Sequence, residues 1–178
     1  MKKLLSLLLV LVMLFGVCGC RSAEQEAVHT VSVKVMEAIK TNDFNLINKY
    51  AGSAEAGKKL FVVDTNDLTI FAKLKMHRAM RDKMEYDIGD IEVSNAQTAT
   101  AKITVTMPKT SAIYSKHSNL LMQKKERDFY KAMEADILKT NLTSTKEYTV
   151  NFQFKDNVWM MDYAFVEMVY NSMIPKMF

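Results

Sequence analysis

The sequence predicts an α+β fold in which N-terminal helices pack on a curved, four-stranded antiparallel sheet. Apolar residues recur at helical spacing between residues 22 and 50. Two pairs of segments with alternating apolar residues follow, within residues 86–107 and 148–163, and a long helical pattern separates them. We therefore expect helices, a hairpin, one long inserted helix, a second hairpin and a final helix.

The first helices are predicted from capping and periodicity. Ser22 and Gln25 have the spacing of a capping box, and Asn42 or Asp43 can begin a second helix. Further caps within residues 64–67 predict a third helix. The apolar positions expected to be buried in these three helices are Val28, Val31, Val35, Ala38, Ile39, Phe44, Leu46, Ile47, Tyr50, Leu68, Phe71, Leu74 and Met80.

The first hairpin contains a change of parity. Its apolar residues stand at even positions at Tyr86 and Ile88, but at odd positions at Ile91 and Val93. One extra residue at Gly89-Asp90, a bulge with glycine in its permissive conformation, would return all four side chains to one face. The sequence therefore predicts a bulge and a curved sheet.

The inserted segment after Pro108 is predicted to be a single helix over residues 111–138. Its charged run at residues 124–128 is interpreted as a solvated face. The second hairpin turns at Asp156 and Asn157, and the last helix has apolar residues at Phe165, Val166, Val169 and Ile174.

The N-terminus has the pattern of a secretory signal. Lys2 and Lys3 precede an apolar run over residues 4–17, which is shorter than the roughly 20 residues needed to cross a bilayer. The following stretch, Val17-Cys18-Gly19-Cys20, resembles the bacterial lipobox. Cys20 fits every position, whereas Cys18 is preceded by the bulky Val17.

The lipobox resemblance implies that Cys20 carries a diacylglyceryl group and that the preceding residues are removed. Residues 1–19 are then a signal peptide, residues 20–23 a lipid anchor and short tether, and residues 24–178 a single α+β domain. Two acyl chains give stable attachment. We expect an extracytoplasmic protein anchored to the cell membrane, or to the outer membrane if the source has two.

Composition limits the alternatives. Processing would leave no free thiol and no disulfide, because Cys18 and Cys20 are the only cysteines. The formal charge of +4 includes Lys2 and Lys3, so the processed chain carries +2. No run of five like charges is present, and nucleic acid is therefore not an expected partner. No Gly-rich or Pro-rich linker divides the domain.

Three segments resemble the nuclear-transport-factor-two-like superfamily, whose fold is a cystatin-like cone. They are VMEAIKTNDFNLINKYAG, MEYDIGDIEVSNAQTATAKITVTMPK and FKDNVWMMDY. These segments resemble an opening helix pair, a central hairpin and a hairpin ending in a tryptophan strand in small bacterial lipoproteins of that superfamily. Several enzymes with this fold use an Asp, or a His with an Asp, inside the cone.

The predicted inner face of this sheet is apolar, whereas Asp87, Asp90 and Glu92 fall on the opposite face. His29, His77 and His117 lie far apart in sequence, without the spacing of a helical metal site. We therefore predict no catalytic residue, no metal and no cofactor. The residues expected to line a pocket or the core are Tyr86, Ile88, Ile103, Val105, Tyr148, Val150, Phe152 and Phe154.

These patterns favour a noncatalytic binding or interaction module. Its expected partners are the membrane, through the lipid on Cys20, and a small apolar ligand or an envelope protein; a dimer is also compatible. One alternative is an enzyme whose acid or base comes from a helix, with His29, Asp67, His77, His117 and Glu167 as candidates. The other is a copper-handling lipoprotein that uses Met76, Met80 and Met84, although filling of gaps in a core or an adaptable groove is the favoured interpretation of these methionines.

Overall fold

The computed structural model describes residues 21–52 and 69–173. Predictions for the signal peptide, Cys20, Asp67, Leu68 and Ile174 lie outside the described residues. The predicted fold class is confirmed: helices pack on a curved four-stranded antiparallel sheet. The helices are α1 (Ala23–Thr41), α2 (Phe44–Ala51), α3 (Ile70–Asp82), α4 (Thr110–Met122), α5 (Glu126–Lys139) and α6 (Tyr163–Met173). The strands are β1 (Glu85–Asn95), β2 (Thr98–Pro108), β3 (Thr143–Lys155) and β4 (Val158–Met161).

Helix α1 begins with the predicted capping box. The Ser22 hydroxyl accepts from the Gln25 N–H at 3.2 Å, and the Gln25 amide oxygen accepts from the Ser22 N–H at 2.8 Å. The Gln25 amide nitrogen also donates to the Ile91 carbonyl at 2.8 Å, which joins the start of the helix to β1. At the other end Asn42 is left-handed, with φ 61°, and Asp43 caps α2. Local sequence therefore determines both ends of α1.

The sheet has the order β1-β2-β3-β4, and every neighbouring pair is antiparallel. The predicted bulge is present, because Ile88 pairs with Ile103 while Ile91 pairs with Ala101. Gly89 and Asp90 thus stand opposite Lys102 alone, and both isoleucines are buried. The bulge does not use a positive φ at Gly89, since Gly52 is the only glycine with positive φ among the described residues.

The helical insertion differs from the predicted single helix. It consists of α4 and α5, which are separated by residues 123–125. Lys124 is left-handed, with φ 57°, and the Lys125 N–H donates to the Leu120 carbonyl, as in a Schellman motif. The charged run at residues 124–128 is exposed as expected, but it forms the turn and the first residues of α5.

Helix α3 buries Met80 as predicted, but the rest of its buried face differs from the predicted one. Phe71 is 76% exposed and Leu74 is 39% exposed. The helix instead buries Ala72, Met76, Ala79 and Met80. Apolar residues occur on both faces of this segment, so periodicity could not decide which face meets α5 and the core.

The core lies between the sheet and the helices. Helix α1 contacts β1, β2 and β4, while α2 packs on α1 and β4, and α3 packs on α5. The insertion contributes Phe129, Met133 and Ile137, each no more than 1% exposed, to the same cluster as the sheet residues. The inner face of the sheet is therefore a packed core surface. A binding site would have to lie on the outer face or at the ends of the sheet.

Candidate functional site

Most of the predicted pocket residues lie on the inner face of the sheet and are packed. Ile88, Ile103, Val105, Tyr148, Val150 and Phe152 are buried. The Tyr148 ring meets the Phe165 ring of α6 edge to face, with centroids 5.3 Å apart. The helices thus occupy the space that an inner ligand would need. Val105 and Tyr148 also border a small cleft of about 220 Å³ near the start of α4.

Tyr86 and Phe154, two further residues of the predicted lining, are not fully buried. Tyr86 is half-buried, and its hydroxyl donates to the Glu37 carboxylate at 2.7 Å. Burial, together with this hydrogen bond, raises the pKa of Tyr86 to about 12. Phe154 is 39% exposed and packs against Trp159 at 5.4 Å, near the turn of the second hairpin. Phe154 is therefore partly exposed at the end of the sheet and lies outside the packed core, where it borders a groove instead.

A groove of about 720 Å³ opens on the outer face of the sheet. We call it the outer groove. Outward-facing polar side chains of β2 and β3 line it, and the C-terminal end of α2 and the start of α6 complete its wall. Its lining includes Ala51, Thr98, Thr100, Asn151, Gln153 and Met160. Its volume lies within the range of small-ligand pockets.

The outer groove is nearly balanced in charge. Lys155 and Asp162 are its charged lining residues among those described. Asp162 is also the N-cap of α6, since its carboxylate accepts from the Ala164 N–H at 3.0 Å. The remaining polar groups are hydroxyls and amides, while Ala51 and Met160 supply apolar contact. Such a lining suits a neutral ligand with several hydrogen-bonding groups.

The histidines proposed for the enzyme alternative are not brought together. His117 lies 2.8 Å from the Asp136 carboxylate, which Lys116 also contacts at 2.6 Å, so this cluster joins α4 to α5. Burial lowers the pKa of His77 to about 4, and the charges of Arg81 and Lys73 add to the effect. Neither residue lines the outer groove. Glu167 is exposed on α6.

The described residues contain no group of three or more His, Cys, Asp or Glu side chains placed to hold a metal ion. Met76, Met80 and Met84 are each no more than 1% exposed and belong to the hydrophobic core. Packing accounts for the three thioethers at these positions.

One cluster was missed by sequence reasoning because its members come from separate helices. Lys34 of α1 donates to the Tyr50 hydroxyl at 3.3 Å, and its ammonium lies 5.1 Å from the centroid of the Tyr50 ring. The Lys49 ammonium lies 5.2 Å from the same ring. The hydrogen bond from Lys34 contributes most to lowering the pKa of the Tyr50 phenol. No local motif relates Lys34 to Tyr50, so only the packing of α1 on α2 reveals the cluster.

Comparison with known proteins found no matching family model, no matching curated protein and no matching solved structure. The superfamily resemblance and the lipobox therefore remain hypotheses from the sequence. No helix among the described residues is long and apolar enough to cross a membrane.

Proposed function

We propose that this protein is a lipid-anchored, extracytoplasmic binding module that acts without catalysis. The observation that carries the binding role is the outer groove, which combines the volume of a ligand pocket with hydroxyl and amide side chains. The anchor and the location rest on the lipobox that ends at Cys20. Membership of the nuclear-transport-factor-two-like superfamily is part of the proposal and is supported by the helix-on-curved-sheet fold.

The ligand class follows from the groove lining. A neutral ligand with amide or hydroxyl groups, such as a segment of peptide or saccharide, would bind Asn151, Gln153 and Thr100 and place an apolar part against Met160. This differs from the apolar ligand expected from the inner face, because side chains fill that face. An envelope protein could present such a segment, so the groove is compatible with either a small ligand or a protein partner.

A paired substitution tests the groove. Asn151→Trp would place a large ring in the outer groove, whereas Thr149→Trp places the same ring two residues away on the same exposed face of β3, outside the lining. In a strain lacking the gene, we expect the Thr149 variant to restore the wild-type phenotype and the Asn151 variant to fail. Thermal stability and surface level of both variants must match the wild type. Equal complementation by the two variants would overturn the groove as the binding site.

The enzyme alternative has its own test. His29, Asp67, His77, His117 and Glu167 are replaced by alanine one at a time in the same strain. If one change abolishes function while stability and surface level are retained, a helix-borne catalytic or metal site becomes the better hypothesis.

The anchor is tested with the two cysteines. Replacing Cys20 with Ser should abolish labelling by an alkyne fatty acid and release the protein from the membrane fraction. Cys18→Ser is the matched control and should change neither property. Labelling that survives the loss of Cys20 would contradict the lipoprotein proposal.

A further inference from the structure

A second groove, of about 500 Å³, lies where α1 and α2 meet the second hairpin. We call it the basic–aromatic groove, after its lining residues Lys34, Lys49, Tyr50, Phe154 and Trp159. Phe154 and Trp159 of the hairpin line this groove, whereas the neighbouring Gln153 and Met160 line the outer groove. The two grooves share no lining residue among those described.

The basic–aromatic groove carries surplus positive charge. In the part of the chain that the structure describes, neither Lys34 nor Lys49 forms an ion pair with a carboxylate. Both ammonium groups lie about 5 Å from the Tyr50 ring, at 5.1 and 5.2 Å. Glu24 is the acidic residue in the described lining, so the two lysines are only partly balanced. This positive charge would attract a negatively charged ligand.

The position of the groove identifies that ligand. Ala23, the first residue of α1, also lines the groove and stands three residues after Cys20. Three extended residues span at most about 11 Å. A lipid on Cys20 would therefore hold the groove close to the bilayer, near the distance of about 8 Å over which surface charge acts at physiological salt. The ring of Phe154, 39% exposed, lies on the same surface.

We propose that the basic–aromatic groove docks on anionic phospholipids of the anchoring membrane. Lys34 and Lys49 bind headgroup phosphates, and Phe154 enters the interfacial region. The inference rests on the proposed anchor at Cys20, since the anchor is what brings the groove to the bilayer. Loss of both lysines is expected to lower the ratio of docked to undocked protein about thirtyfold.

The tryptophan supplies a native reporter, because Trp159 lines the groove and is the only tryptophan of the chain. Full-length lipidated protein is reconstituted into phosphatidylcholine vesicles with or without phosphatidylglycerol. Flotation of the vesicles measures anchoring. Quenching of Trp159 by a headgroup spin-labelled lipid measures docking. The variant Lys34→Gln/Lys49→Gln is compared with Lys131→Gln/Lys139→Gln, which makes the same charge change on exposed positions of α5.

If the groove docks, Trp159 fluorescence should be strongly quenched on anionic vesicles only. The Lys131→Gln/Lys139→Gln control should keep this quenching, and the Lys34→Gln/Lys49→Gln variant should lose it. Flotation with no quenching, or with equal quenching on neutral and anionic vesicles, would overturn the docking and leave the anchor intact. Equal quenching of the two lysine variants would also overturn it. Protein that does not float on either kind of vesicle would refute both the anchor and the docking.

Discussion

Gly52 ends helix α2 and Gly89 lies in the bulge of β1, and the backbone conformations at these two glycines differ. Gly52 has φ 67°, a left-handed conformation that an L side chain adopts at a cost, and an added Cβ would lie 3.0 Å from the Met160 Cε atom. Gly89 has no such φ, and its added Cβ would meet Lys102 atoms at 3.5 and 3.6 Å, an ordinary contact. The bulge therefore depends on strand register rather than on glycine.

The first prediction compares alanine at these two positions. Gly52→Ala should lower the free energy of unfolding by about 1 kcal/mol, because the left-handed backbone is retained while the methionine tip moves aside. Gly89→Ala is the control and should change it by less than about 0.5 kcal/mol. Urea unfolding followed by Trp159 fluorescence measures both. A larger loss at Gly89 would show that the bulge needs glycine after all.

His77 gives a prediction about pH. The pKa of His77 is lowered to about 4 in the folded protein, below the ordinary value of 6.5. The unfolded chain therefore binds a proton at His77 more readily than the folded protein does. Stability from neutral His77 is present above pH 6.5 and is lost as the pH falls toward 4. Between pH 7 and 4.5, the wild type should lose about 2 kcal/mol more than His77→Gln. Parallel pH profiles in urea unfolding would contradict the buried neutral histidine.

Among the helices and strands, the features that could be predicted are those with a signal in the local sequence. The capping box at Ser22 and the change of parity at Gly89 are recorded in a few neighbouring residues, and both features are confirmed. The break between α4 and α5 has no glycine or proline to mark it, because Lys124 occupies the left-handed position. The face of α3 could not be predicted either, since burial there depends on contact with the distant α5.

The helix break can be tested with a second glycine pair. Lys124→Gly should raise the free energy of unfolding by about 1 kcal/mol, since glycine adopts φ 57° without the steric cost that lysine pays. Lys131→Gly, at an exposed position inside α5, should lower it by about 1 kcal/mol. Thermal and urea unfolding of the two variants give the comparison. Destabilisation by Lys124→Gly would argue for a continuous helix.

The helical insertion, α4 and α5, is connected to the sheet at one point, where β2 ends and β3 begins. Pro108 pairs with Thr143, and the Lys109 N–H donates to the Leu142 carbonyl at 2.9 Å. Despite this narrow connection, Phe129, Met133 and Ile137 belong to the same core cluster as the sheet. The insertion and the sheet are therefore expected to unfold together.

Met133→Ala tests this cooperativity. The fully buried side chain lies in the insertion, and its truncation should cost about 2–5 kcal/mol. Trp159 lies in the sheet, so its fluorescence and the helical circular dichroism should report one shared transition, shifted equally. Leu138→Ala, at a residue 51% exposed on the same helix, should have little effect. Two separate transitions would show that the insertion is an independent unit.

The candidate sites illustrate the limit of reasoning from sequence at this scale. Alternation correctly placed Ile103, Val150 and Phe152 on one buried face, but it does not state whether that face encloses a cavity. The helices that fill the face come from distant parts of the chain. The outer groove and the basic–aromatic groove likewise depend on how three or more elements meet, which no local pattern records.

The side chain of Gln25 joins the start of α1 to the sheet, because its amide oxygen accepts from the Ser22 N–H while its amide nitrogen donates to the Ile91 carbonyl. A pull on the segment before Ser22 would therefore load β1 as well as the first turn of the helix. Without that amide the first turn could unravel. If four helical residues became extended, the rise of each would increase from about 1.5 to about 3.3 Å, and the segment before the folded domain would lengthen by about 7 Å. This is close to the screening length of physiological salt. With the proposed lipid on Cys20, one glutamine would limit how far the domain stands from a charged membrane.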